Sequence, residues 1–259
     1  MGVNFGLSDR VVVVTGGASG IGRATVDLAI ADGAKVAIVD WSEEAVGKVV
    51  DELQAAGGAV AGYVADVRSH ARMLEVVDAV ERELGDIHGV VACAGVSRPA
   101  KLLDMSQEDF ETVIDINLVG MYNTANAAGA RMVARRRGSF VAIGSTDALG
   151  GHVDRTHYAA SKHGVAGLIK SVAIEWGPHN VRANAVCPGA VDTPLVRAIH
   201  DEASVQKNFL SKIPLGRLAT GEDQARGSLF LLSDAAEYIS GIMLPIDGGL
   251  TAGYFNQMN

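Results

Sequence analysis

Tyr158 and Lys162 stand four residues apart in the run Tyr158-Ala159-Ala160-Ser161-Lys162, with Ser145 thirteen residues upstream and Asn117 further back. On a helix, positions i and i+4 share a face, so a phenol and an ammonium are brought together. A free phenol, with a pKa of about 10, is a poor base at neutral pH. A nearby ammonium favours the phenolate and moves it toward the working range, roughly 7–9. Ser145 can hold a substrate oxygen beside the phenol, and Asn117 can carry a water linking Lys162 to solvent. The chemistry these residues suit is proton transfer at an alcohol or carbonyl oxygen. Tyr-x-x-x-Lys alone is common on helix surfaces, so its meaning depends on the residues that accompany it.

The second cluster is Thr15-Gly16-Gly17-Ala18-Ser19-Gly20-Ile21-Gly22, directly after the apolar run 11–14. Gly16, Gly20 and Gly22 allow a tight turn and close backbone approach to a diphosphate. The helix that begins near Ile21, just after Ser19, points free N–H groups at that diphosphate. Asp40 closes the next apolar run, where a carboxylate accepts hydrogen bonds from adenosine ribose hydroxyls and repels a 2′-phosphate, favouring NAD over NADP. Read alone, Asp40 is an ordinary strand-end acid. Asp66-Val67 follows the third strand; Asp66 can bond the adenine amino group or cap the helix that follows. Ala94-Gly95 after the fourth strand lets a cofactor lie against bare backbone. Together the clusters read as hydride transfer between a nicotinamide and an alcohol carbon.

Positioning these groups requires alternating strands and helices. Strands are expected at 11–15, 35–40, 59–64, 89–93, 139–143, 182–186 and 242–246. Helices are expected at 21–31, 43–56, 69–84, 158–176 and 223–233. The stretch 106–136 reads as two helices joined near Asn117. The strands are nearly continuous Val, Ile and Ala, the pattern of a parallel sheet covered on both faces. The expected fold is α/β: a single domain over residues 1–259 with a Rossmann-type, doubly wound parallel sheet of about seven strands. Residues 191–215 break the rhythm with Pro194, Pro214 and mixed polarity, and read as a substrate lid.

Hydrophobic residues make up 48% and charged residues 20%, a balance that suits a folded enzyme rather than a disordered chain. A net charge of −8 argues against nucleic acid as a partner, since phosphate backbones need clustered cations. Arg135-Arg136-Arg137 reads as cations offsetting a helix C-terminus. Cys93 and Cys187 are too far apart for a metal or redox CxxC pair, so no metal is expected, and both read as reduced core thiols of a cytoplasmic protein. No apolar run approaches the roughly 20 residues of a membrane span, and no signal-peptide pattern opens the chain.

With Thr15–Gly22, Asp66, Ala94-Gly95, Asn117, Ser145, Tyr158, Lys162, Pro188-Gly189, Thr193 and Asp247-Gly248-Gly249 in order, the chain resembles the short-chain dehydrogenase/reductase family over nearly its whole length. The resemblance implies Tyr158 as acid/base, Ser145 as substrate-orienting, Lys162 as tuning Tyr158 and bonding the nicotinamide ribose, and Asn117 as completing a proton relay. It further implies that Pro188, Gly189 and Thr193 lie along the nicotinamide, that Ile21 contacts that end of the cofactor, and that Val191 bonds the carboxamide through its backbone. A homotetramer or homodimer is implied, with the 249–259 tail at an interface. One departure is Cys93, where the family usually has an Asn that ties strands together.

The loop after Ser145 is polar: Thr146, Asp147, His152, Asp154 and Arg155 punctuate it. Arg155 stands three residues before Tyr158. With Arg98 and Arg197 it can grip an anion through paired bonds, or it is a solvated surface residue. An Arg at this place also resembles the branch of the family that oxidises hydroxyalkyl sulfonates. The expected substrate is a small polar secondary alcohol: a sugar, hydroxy acid or hydroxyalkyl sulfonate. Thr146, Arg155 and Arg197 are its candidate contacts. Two rivals stand beside it. One is a 3-oxoacyl thioester reductase of the same family, disfavoured by Asp40 and by the acidic, apolar run Ser171-Val172-Ala173-Ile174-Glu175. The other is a non-catalytic NAD-binding sensor, disfavoured by the presence of both Tyr158 and Lys162.

Overall fold

The first strand, β1 (Val11–Thr15), shows why this chain forms a layered sheet. Its residues divide by alternation: Val11 and Val13 enter one apolar layer, Val12 and Val14 the other. A strand buried on both faces must sit centrally, with helices above and below. The computed structural model, which describes residues 4–192 and 210–253, has this arrangement. Six more strands follow: β2 (Lys35–Asp40), β3 (Val60–Val64), β4 (Ile87–Ala92), β5 (Gly138–Ile143), β6 (Val181–Pro188) and β7 (Met243–Ile246). All pair in parallel in the order β3-β2-β1-β4-β5-β6-β7.

The helices are α1 (Gly20–Ala31), α2 (Glu43–Ala55), α3 (His70–Glu83), α4 (Gln107–Ile114), α5 (Gly120–Arg135), α6 (Thr156–Trp176) and, as the last one described, α7 (Gly221–Leu232). Apolar residues of α3, α5 and α6 cover one face of the sheet and those of α1, α2 and α7 the other. Phe140 is fully buried on β5 and meets Trp176 edge-on at 6.0 Å between ring centroids. Truncating such a ring costs roughly 3–5 kcal/mol.

The expected break near Asn117 is a π-helical turn, Asp115–Val119, between α4 and α5. Strand β4 begins two residues earlier than expected, because half-buried His88 interrupts an otherwise apolar run. The Arg135–Arg137 cluster closes α5, with Arg136 in the left-handed region (φ 56°) and Arg135 paired to Glu81. Most of the expected lid lies outside the described residues. At its near edge Val191 bridges to Ala219, and neither bond of that bridge uses Val191's own N–H or carbonyl.

Strand order reverses at β1, which pairs with β2 on one side and β4 on the other. In such sheets the crevice beyond the carboxyl ends of the strands at the reversal is the natural ligand site.

Candidate active site

A cleft of about 660 Å³ opens at that reversal, lined by Gly16, Ser19, Gly20, Ile21, Gly22, Asp40, Asp66, Val67, Ala94, Gly95, Tyr158 and Lys162. The glycine turn is closed tightly against its neighbours. A Cβ on Gly22 would lie 2.1 Å from the Gly16 carbonyl oxygen. One on Gly16, whose φ is +65°, would lie 2.9 Å from the Ala94 backbone.

Helix α1 starts differently from its neighbours. Helices α2, α3, α4 and α7 each begin under a Ser or Thr hydroxyl that accepts a backbone N–H. Ser19, at the head of α1, makes no such bond, and the first turn carries no acidic residue. The open N–H groups of that turn face the cleft and suit a diphosphate. Asp40 is held at the cleft edge by Ala18 N–H at 3.2 Å and Ser42 N–H at 3.4 Å. These features fit an adenine dinucleotide, with ribose hydroxyls at Asp40 and the diphosphate at α1.

Asp66 departs from the simplest expectation. Its carboxylate is taken up by Arg68, at 2.5 and 2.9 Å from the side chain and 2.9 Å from the backbone N–H. That pairing holds the carboxyl below its usual range. Arg68 therefore shares this end of the cleft, as does Trp41, 79% exposed beside Asp40. Neither is among the candidate residues, although a large aromatic directly after Asp40 is a readable signal. Cys93 packs against the core, as expected, and also lines the cleft, its thiol pushed up to about 12 by burial.

A second cleft, also about 660 Å³, joins the first at Tyr158, Ile21 and Ile143. Ser145, Thr146, Arg155, Pro188, Gly189 and Val191 line it. Thr193 and Arg197 lie outside the described residues. Tyr158 thus stands where the two clefts meet. Lys162 lies beneath it, Nζ 5.5 Å from the ring centroid and donating to the Ile143 carbonyl at 2.8 Å. Arg155 faces the same ring at 5.7 Å and makes no ion pair among the described residues. Arg98, by contrast, is paired to Asp109 at 2.8 Å, which removes it as a free anion contact.

The electrostatics differ from the expected phenolate. Burial pushes the Tyr158 hydroxyl up from its ordinary value, and the charge of Asp147 adds to this. The Ser145 hydroxyl and Arg155 oppose it without prevailing. Burial also pushes Lys162 down, to about 8. Burial strips water from both groups and penalises both charged forms, and sequence spacing cannot weigh that. Asn117 is fully buried behind the site. Its amide donates to the Val96 carbonyl at 3.0 Å and to Ser161 Oγ at 3.2 Å, and accepts from Val96 N–H at 2.8 Å. Both of its N–H hydrogens are thereby engaged, so its side chain fastens the π turn to β4's exit.

Fold and site together define a dinucleotide-dependent oxidoreductase. Residues 16–251 match a family model described as enoyl-(acyl carrier protein) reductase. The chain belongs to the short-chain dehydrogenase/reductase family. It is 39% identical to a 3-oxoacyl-[acyl-carrier-protein] reductase, FabG, of Thermotoga maritima, over 94% of this chain and 98% of that one. It is 36% identical to a 2,5-dichloro-2,5-cyclohexadiene-1,4-diol dehydrogenase of Sphingobium indicum, over 95% and 98%. An oxidoreductase of this family from Burkholderia thailandensis superposes with a TM-score of 0.87 at 39% identity, covering 94% and 93%.

Proposed function

We propose that this enzyme interconverts a ketone and its secondary alcohol with NAD(H), and that the observation carrying this is Tyr158 at the junction of the two clefts. The first cleft, with Gly16, Gly20, Gly22, Asp40 and Lys162 in its lining, would hold NADH, which would supply hydride for the carbonyl carbon. Ser145 holds the carbonyl oxygen and Tyr158 gives it a proton, completing the alcohol. Lys162 presents its ammonium beneath the phenol and toward the cofactor ribose. Burial keeps the phenol protonated at neutral pH, the form that ketone reduction uses. Asp40 favours NAD over NADP by roughly 2–4 kcal/mol in kcat/KM, the scale of a charge repelled at close range.

Two substrate classes remain. The relatives favour a 3-oxoacyl thioester, the class placed second from the sequence, and the Thermotoga maritima protein carries it. The second cleft supports a smaller polar substrate through Asp147, His152 and Arg155, and the name of the diol dehydrogenase accords with that. The test is initial-rate spectrophotometry with NADH and NADPH on an acetoacetyl thioester, hydroxyketones and oxo acids. Equal efficiency with both cofactors removes the assignment of Asp40. A thioester turned over far better than any small ketone decides for the first class.

A further inference from the structure

The second cleft contains a buried carboxylate that the redox chemistry does not use. Asp147 follows Ser145 by two residues in the single turn Thr146–Ala148, and its backbone N–H donates to Ser145 Oγ at 3.0 Å. Carboxylate and substrate-orienting hydroxyl are therefore parts of one turn. Asp147 is only 6% exposed, and its Oδ2 has no hydrogen-bond partner among the described residues. Among the described residues its Oδ1 meets only His152 Nδ1, at a long 3.3 Å, from a half-exposed ring.

A buried acceptor left unpaired is costly, and such groups are rare in folded proteins unless something else satisfies them. Its charge is also felt at Tyr158, whose ionisation it opposes. Among the described residues, the other charged side chains lining the cleft, Arg155 and Lys212, make no bond to it. An ionised carboxylate only accepts, so the group that completes it must donate. Neither a 3-oxoacyl thioester nor an isolated ketone brings a donor beside its reacting carbon.

We propose that Asp147 is a specificity-determining residue that accepts a hydrogen bond from a second hydroxyl close to the reacting carbon, as in a vicinal diol or its hydroxyketone. His152 steadies the carboxylate from the solvent side. This rests on the oxidoreductase reading and deepens its second substrate class. A site built around a hydrogen bond rejects analogues lacking the donor strongly, because its own buried group is left unpaired.

The experiment compares kcat/KM for 3-hydroxybutan-2-one with butan-2-one in reduction, and for butane-2,3-diol with butan-2-ol in oxidation. It uses the full chain, Asp147→Ala and the near-isosteric Asp147→Asn, with NADH affinity by calorimetry as the check on folding. The unmodified enzyme is expected to prefer the hydroxylated member of each pair by about tenfold or more. Asp147→Ala collapses that ratio toward one. Asp147→Asn, whose amide oxygen still accepts, keeps part of it. A ratio near one in the unmodified enzyme, or a ratio unchanged in both variants, overturns the proposal. Activity on an acetoacetyl thioester with none on the hydroxyketone also overturns it, yet leaves the redox reading standing. Loss of the redox reading is seen separately, as Tyr158→Phe retaining more than about a tenth of the rate.

Discussion

Tyr158 is half-buried, its hydroxyl desolvated and its ionisation opposed by the charge of Asp147, and it is backed by a lysine whose own charge is weakened. Removing its hydroxyl in Tyr158→Phe is expected to lower turnover by a factor on the order of 10²–10⁴, with NADH binding retained. Stopped-flow rates beside calorimetry check both halves, and more than about a tenth of the rate remaining would falsify the role. The pH dependence follows from the raised phenol. Below its pKa the proton is present, so loss of the phenol proton should reduce ketone reduction only in the alkaline range, and any earlier fall near pH 8 belongs to Lys162. Alcohol oxidation needs the phenolate and should climb from pH 6 with no plateau by pH 9. A plateau at pH 7–8 in oxidation, with a deuterium isotope effect showing hydride transfer to be limiting, contradicts the raised value.

At the scale of elements, the glycine turn and α1 act as one unit, because the turn's packing leaves the helix N-terminus open. Gly22→Ala drives a methyl group to within 2.1 Å of the Gly16 carbonyl oxygen, a contact only backbone movement relieves. The expected result is a turn pushed off its position, with NADH affinity reduced at least tenfold and a lower Tm in thermal denaturation; wild-type affinity refutes the tight turn. This unit was legible in the sequence, since glycine spacing after an apolar strand has few other uses. Strand order and the two apolar faces were legible for a similar reason: Val and Ile runs bounded by glycine allow few alternatives. The paired state of Asp66 was not, because a carboxylate's partner is decided by rotamers of a neighbour two residues on. Nor was the direction of the Tyr158 shift, where spacing shows the ammonium but hides the desolvation. Asp147 was visible as a polar residue in the loop, yet its burial came only with the turn that folds it inward.

For the molecule as a whole, one tie joins the start of the chain, the sheet and the last helix. Arg10 binds Asp234 beyond α7 at 2.6 Å and sits 2.8 Å from His88 Nε2 on β4. Burial, with the Arg10 charge, pushes His88 down to about 4. Between that value and the unfolded value of about 6.5, the unfolded chain binds the extra proton, so stability falls as pH falls through this window. The loss reaches about 3 kcal/mol at most by pH 4. Tm measured from pH 7 to 4 should therefore drop, and His88→Gln, which keeps an acceptor for Arg10 without titrating, should flatten the curve. An unchanged slope removes His88 as the source. The distribution of the molecule's two tryptophans has an optical consequence. Trp176 is packed against Phe140, whereas Trp41 stands exposed at the mouth of the first cleft. Reduced nicotinamide absorbs where indole emits, so one fluorophore is placed to be quenched on loading and the other to supply a steadier background. The protein carries its own emission-based gauge of occupancy, needing no label, and Trp41→Phe should erase most of that signal.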